Sequence, residues 1–167
     1  MIAGPAPGYA IPRRHRDGRY HRPVTGPDLV GQPPALSAEA RAFLAGPRFG
    51  VVATVEPDGA PHQAVVWYRL DGDEIVVNSA DGRRWPANLR RDPRIVLTVA
   101  DAYRYVQVRG TVAVEDDQSI AQADIAEMAR RYHAAEPGEA ERLIRDRFSH
   151  QHRVTFRFRP SGISVDL

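Results

Sequence analysis

Apolar and polar residues alternate with a period of two along most of the chain beyond Phe49, and short turn signals separate the runs. Phe49 to Glu56 is valine-rich and stops at Pro57-Asp58-Gly59, a strong turn; Ala60 to Leu70 reads as a second strand. Asp71-Gly72-Asp73 turns the chain again, and Glu74 to Asn78 forms a third, so these runs predict a three-stranded antiparallel meander. Arg94 to Val99 and Tyr103 to Glu115 add two more strands. In the longer one, Tyr105, Gln107 and Arg109 share one face and Val106, Val108 and Gly110 the other. Arg153 to Arg159 and Ile163 to Val165, around the turn Pro160-Ser161-Gly162, close the chain.

Helical periodicity is confined to short stretches. Ser37 caps a short helix carrying Ala40, Phe43 and Leu44, which ends at Gly46-Pro47. Pro86 suits the first turn of a helix through Asn88 and Leu89 that ends at Asp92-Pro93. Asp116 to Tyr132 carries an apolar stripe of Ile120, Ile125, Met128 and Ala129, and a further helix runs from about Glu139 to Phe148. The pattern predicts a mainly β fold with peripheral helices: six to seven antiparallel strands closed into a barrel, because closure removes exposed strand edges.

Residues 1–35 differ from the rest. Seven prolines and the basic stretch Arg13 to Arg22 exclude a long helix or a central strand, so this segment reads as an N-terminal extension to a domain spanning residues 36–167. It is either a mobile tail or a strap that lies along the barrel or crosses to a partner subunit, bringing Arg13, Arg14 or Arg16 towards the ligand.

Composition narrows the chemistry. The 167 residues include no cysteine, which removes disulfides, thiolate nucleophiles and thiolate metal sites. All 23 basic residues are arginine, so no Schiff base forms, and anions are held by guanidinium forks or backbone amides. With a net charge of +2 and no recognition motif, nucleic acid is not an expected partner. No apolar run reaches bilayer-spanning length and no signal core precedes the first basic cluster, so a cytoplasmic protein with no membrane partner is expected. There is no nucleophile elbow, no paired-carboxylate motif and no metal spacing among the histidines. His62, beside Pro61, is a candidate to reach a ligand or a surface residue. An enzyme built from this chain would draw its reactivity from a bound cofactor.

The densest feature runs from Asn78 to Arg94. It leaves a strand through Asn78 and Ser79, turns at Gly82 and enters a helix at Pro86, with Arg83 and Arg84 beside the helix N-terminus. Free amides there favour an anion, and guanidinium forks match phosphate oxygens. Two readings stand: a phosphate grip, or a solvated basic loop paired with Asp81 and Asp92. Trp85 either walls an aromatic ligand or buries against the sheet, and Asn88 satisfies the loop or reaches the ligand.

Taken together, Phe49-Gly50-Val51-Val52-Ala53-Thr54-Val55, Pro57-Asp58-Gly59-Ala60-Pro61, Gln63-Ala64-Val65-Val66-Trp67-Tyr68, Asn88-Leu89-Arg90-Arg91-Asp92-Pro93-Arg94 and Val106-Gln107-Val108-Arg109-Gly110-Thr111-Val112 resemble the pyridoxamine 5'-phosphate oxidase-like split β-barrel superfamily, over roughly residues 36–160. The chain looks closest to members that use the deazaflavin coenzyme F420. The resemblance implies a homodimer with two cofactor sites between subunits. It places the cofactor phosphate at Arg83 and Arg84 and the ring along Gln63 and Val65, with Asn78, Ser79, Gly82, Trp85, Asn88 and Gln107 as further contacts. Some F420-binding relatives carry a lysine where this chain has Trp85; the oxidase branch has two adjacent basic residues at the places of Arg83 and Arg84. The implied activity is F420-dependent hydride transfer to a small organic substrate. An FMN-dependent oxidoreductase and a non-catalytic flavin or deazaflavin carrier are the alternatives, because one fold hosts several functions.

Overall fold

The computed structural model describes residues 34–167; residues 1–33 lie outside it, and with them the expectations for Arg13, Arg14 and Arg16. In chain order the described residues form α1 (Ala38–Ala45), β1 (Gly50–Val55), β2 (Pro61–Val66), β3 (Tyr68–Asp71), β4 (Glu74–Ala80), α2 (Arg84–Arg91), β5 (Arg94–Asp101), β6 (Arg104–Thr111), β7 (Ala113–Glu115), α3 (Gln118–Tyr132), α4 (Pro137–Asp146), a short 3-10 turn (Phe148–His150), β8 (Arg153–Phe158) and β9 (Gly162–Asp166). They build a five-stranded sheet in the order β2-β1-β5-β6-β9 and a four-stranded sheet in the order β3-β4-β8-β7, antiparallel throughout. This is the two-sheet arrangement of a split β-barrel.

Two strands expected to be continuous are each broken, which raises the strand count above six to seven. Ala60 to Leu70 divides at Trp67: Val66 still pairs with Gly50 in the first sheet, whereas Tyr68 pairs with Val77 in the second. The expected meander is therefore two hairpins in different sheets. Tyr103 to Glu115 divides at Val112, whose N–H donates to Pro93 O at 2.9 Å instead of to a strand. Both breaks are corners, where one run of strand-forming residues passes from sheet to sheet and keeps its apolar faces inward.

The core lies between the sheets. Val52, Leu97, Val99, Val106 and Val108 of the first face Ile75, Val77, Phe156 and Phe158 of the second, with Phe43 and Leu44 of α1 and Trp85 and Leu89 of α2 packed at the margins. A smaller cluster of Val76, Ile125, Met128, Ala129, Ala140 and Phe148 joins α3 and α4 to the outside of β4. β4 is thus covered on both faces, which is why Ile75, Val76 and Val77 follow one another without alternation and Asn78 and Ser79 are buried after them. Of the expected helical stripe, Ile120 stays out, 40% exposed, while Ala121 beside it is buried against the sheet. Asp117 caps α3 by accepting from Ser119 N and Ile120 N.

Polar contacts fix the corner at Trp67. Its indole stacks on Tyr132 at 5.0 Å and 12°, and the Tyr132 hydroxyl donates to Arg48 O at 2.7 Å while accepting from Tyr68 N at 3.1 Å. Tyr68, fully buried, donates to Leu44 O at 3.0 Å; burial pushes its hydroxyl pKa up, so it stays a donor.

Candidate functional site

The segment from Asn78 to Trp85 leaves β4, turns and starts α2. Gly82 takes φ +82°, the left-handed conformation that glycine adopts without penalty, and its N–H donates to Asp81 Oδ1 at 3.0 Å. Asp81 N–H donates to His152 O at 2.8 Å, which ties the turn to the residue before β8. α2 begins at Arg84 with Arg83 in the cap position and no side-chain cap.

A cleft of about 190 Å³ opens beside this turn. Phe49, Val65, Trp67, Trp85, Ile125 and Phe148 form its apolar walls, and Asn78, Arg83, Arg147 and Arg153 its polar ones. Phe49 and Val65 are 61% and 69% exposed, so one side of the cleft opens onto bare apolar surface. Trp85 is buried, its ring 5.5 Å from that of Phe156, so it forms the floor as part of the core.

Electrostatics set this cleft apart. Arg153, 3% exposed, has no carboxylate partner among the described residues. Its Nε and Nη2 donate to Asn78 Oδ1 at 2.9 and 2.6 Å, and its Nη1 to Gln151 Oε1 at 2.6 Å. Asn78 is itself held, donating to Ala121 O at 2.9 Å and Thr155 Oγ1 at 2.8 Å. Burial, reinforced by the nearby charges of Arg83 and Arg147, pushes the Arg153 pKa down to about 10. Arg83 and Arg147 likewise make no ion pair among the described residues. A buried cation with two cationic neighbours and neutral acceptors is costly unless an anion joins it.

The sequence-predicted residues divide. Val65, Asn78, Arg83 and Trp85 meet in this cleft. Gln63 is exposed on β2, two residues from Val65 and on the same face. Ser79 is buried in β4, its hydroxyl donating to Ala80 O at 2.9 Å. Arg84 turns elsewhere: its Nε lies 3.7 Å from Glu56 Oε1, which is also 3.4 Å from His62 Nδ1, in a separate surface hollow. Asn88 is buried and donates to Thr54 Oγ1 at 3.1 Å, joining α2 to β1. Gln107 sits on the outer face of the five-stranded sheet, donating to Thr98 Oγ1 at 3.0 Å, beside a different hollow lined by Val96 and Arg109. Sequence reasoning missed Arg147, Phe148 and Arg153. The one signal for Arg153 was the alternation Arg153, Thr155, Arg157 along a strand whose other residues are apolar. Among the described residues no group of histidines and carboxylates offers a metal site, and no helix is long and apolar enough to cross a membrane.

The structure thus combines a split barrel with a cation-lined aromatic cleft at the end of β4, and comparison with known proteins places the chain in a family. The sequence model of the pyridoxamine 5'-phosphate oxidase family matches residues 36–163, and the chain belongs to that family. It is 26% identical over 111 residues to an F420H(2)-dependent biliverdin reductase of Mycobacterium tuberculosis (strain CDC 1551 / Oshkosh), covering 65% of this chain and 81% of that one. Among solved structures it is similar to an F420 reductase, with a TM-score of 0.59 and 27% identity over 74% of this chain and 94% of that one. A conserved hypothetical protein from Mycobacterium tuberculosis matches in fold with a TM-score of 0.64 and 24% identity, over 81% and 89% of the two chains.

Proposed function

We propose that the protein is an oxidoreductase that binds the deazaflavin F420 and acts on a small organic substrate. The observation that carries this reading is the convergence of Arg83, Arg147 and Arg153 on an aromatic-walled cleft in which, among the described residues, no carboxylate pairs with them. That donor set fits the phosphate of a ring cofactor, and the F420-linked relatives favour F420 over FMN. When bound, such a cofactor supplies hydride chemistry. The chain's own groups hold the phosphate by guanidinium forks, and the apolar surface of Phe49, Val65 and Trp67 excludes water from one side of the ring.

Titration of the purified chain with F420 and with FMN, followed by fluorescence, tests this directly. Tighter binding of F420 is the expected result. Arg83→Ala should weaken it by about 1.5–3 kcal/mol, the range for a hydrogen bond to a charged group. Arg84→Ala, which disrupts an exposed pair with Glu56, should cost no more than ~1 kcal/mol. A clear preference for FMN would make the protein the FMN-dependent member of the same fold; no binding of either would end the cofactor reading.

The same reading makes the protein a homodimer. Outward-facing Val51, Ala53, Gln63, Val65, Val96 and Thr98 give β1, β2 and β5 an uncharged patch, bordered by Arg94 at the start of β5, that runs up to the open side of the cleft. A second copy laid over it would bury Val65 and close the cleft. Light scattering at micromolar concentration should give twice the chain mass, and a monomer there would remove the two-subunit site.

A further inference from the structure

The loop between β4 and α2 supplies only part of the positive charge in the cleft. Arg153 opens β8, and Arg147 follows α4, both remote in sequence from the loop. The ring of Phe148 lies between them in the chain's packing, 5.2 Å from the Arg153 guanidinium carbon and 5.9 Å from that of Arg147. Of the five N–H groups of Arg153, the bonds to Asn78 and Gln151 use three, leaving two for a ligand. Asn78 cannot swing away without giving up Ala121 O and Thr155 Oγ1. The guanidinium is therefore fixed in place, without the rotamer entropy an exposed arginine would lose on binding. Asp124 supplies a carboxylate to Arg69 and Arg157, whereas Arg131 is held by the backbone oxygens of Leu44 and Gly46. Among the described residues Arg153 receives only the neutral side-chain oxygens of Asn78 and Gln151, and of these arginines it is the one that lines the cleft.

We propose that Arg153 is a direct phosphate ligand of this cleft, held ready by Asn78 and Gln151, and that Arg147 and Arg83 complete the cradle around the same anionic group. The inference rests on the cofactor reading only for the name of the molecule that carries the phosphate. The cradle also accounts for the role of Asn78, which orients a cation and need not touch the ligand itself.

Gln151 offers a near-isosteric test. Its Oε1 already accepts from Arg153 Nη1, its side-chain amide nitrogen makes no hydrogen bond within the described residues, and its backbone contacts are independent of the side chain. Gln151→Glu places a carboxylate where a neutral oxygen stood and gives Arg153 an internal counter-ion. With inorganic phosphate as the probe, calorimetry and thermal unfolding should show a folded variant whose melting temperature equals or exceeds that of the wild type. Its phosphate affinity should fall at least about tenfold, because the internal carboxylate competes for the guanidinium. His150→Glu adds the same charge at an exposed neighbour and should change affinity by no more than about threefold, since solvent screens it. Arg147→Gln, at an exposed position, should also weaken phosphate. A folded Gln151→Glu protein that binds phosphate as tightly as the wild type would overturn the proposal, as would an Arg147→Gln protein of unchanged affinity. If F420 or FMN binds and Gln151→Glu has no effect, the cradle is wrong and the cofactor reading stands. If phosphate binding is lost in Gln151→Glu while neither cofactor binds the wild type, the cradle stands and the cofactor reading falls.

Discussion

Replacing Asp124 with alanine is expected to destabilise the fold by about 3–5 kcal/mol, the range for removing one partner of a buried ion pair. Asp124 is 3% exposed on α3, and its carboxylate accepts from Arg69 Nη2 at 2.6 Å and from Arg157 Nη2 at 3.0 and 2.8 Å. These contacts fasten α3 to β3 and β8, so their loss loosens the helical layer that carries Ile125 to the cleft. Asp71 bridges the same two arginines, at 3.2 and 3.0 Å, but it is half exposed. Solvent screens it, and Asp71→Ala should cost no more than ~1 kcal/mol. Urea denaturation of the two variants separates these roles. Equal losses would mean that the network works as a shared surface cluster and that the buried carboxylate has no special part. Asp71 also adds a mild acid sensitivity. Arg69, followed by bonds from Arg157, lowers its pKa below the ordinary carboxylate value. The stability it contributes is complete above that ordinary value and is lost as pH falls through the lowered one.

The elements that could be read from the sequence are those whose signal is local. The turn at Pro57-Asp58-Gly59, the cap at Ser37 and the alternation of Val106, Val108 and Gly110 each record a single backbone event, and the structure shows all three. Gly110 has a tertiary reason as well: a Cβ there would lie 2.6 Å from Phe158 Cδ2 and 2.8 Å from Arg159 O. The corners at Trp67 and Val112 left no such trace. Neither is a glycine or proline, and strand-forming residues flank both, so period alone could not show a change of sheet. The site was half legible for a related reason. Arg83 stands in a dense motif, whereas Arg153 reaches the cleft through the pairing of β8 with β4, where it lies opposite Ala80. In a chain whose 23 basic residues are all arginine, nothing in residue type marked it out. Its distinguishing property, a buried charge surrounded by neutral acceptors, exists only in three dimensions. Arg84 shows the converse. Adjacency in sequence made it the twin of Arg83, but the first turn of α2 directs the two side chains to different sides, and Arg84 meets Glu56.

The stabilisation that phosphate gives the folded protein should be largest near neutrality and fade as pH rises through about 10. The folded-state pKa of Arg153 is held near 10, against an ordinary arginine value of 12.5, by burial and then by Arg83 and Arg147. A cationic group with a lowered folded pKa makes folding costlier while it is charged. The cost is present in full below about pH 10 and is relieved between that pH and the unfolded value, where the unfolded chain binds more protons. A shift of this size corresponds to roughly 3 kcal/mol held against the empty fold. Phosphate removes that cost by pairing with the guanidinium and keeping it protonated. The empty protein should therefore gain stability relative to the loaded protein as pH rises, and the two should converge. Denaturant unfolding at several pH values between about 8 and 11, with and without saturating phosphate, measures the difference. Exposed tyrosines such as Tyr103 titrate in the same range, but they do so in both samples and cancel in the subtraction. A gap that stays constant across this range would show that Arg153 keeps its proton throughout it, and the assignment of the phosphate to Arg153 would then stand or fall on Gln151→Glu alone. A gap that closes near pH 10 in the wild type, and is already small at neutral pH in Gln151→Glu, would trace the pH dependence to the buried guanidinium of Arg153, which has no carboxylate partner among the described residues.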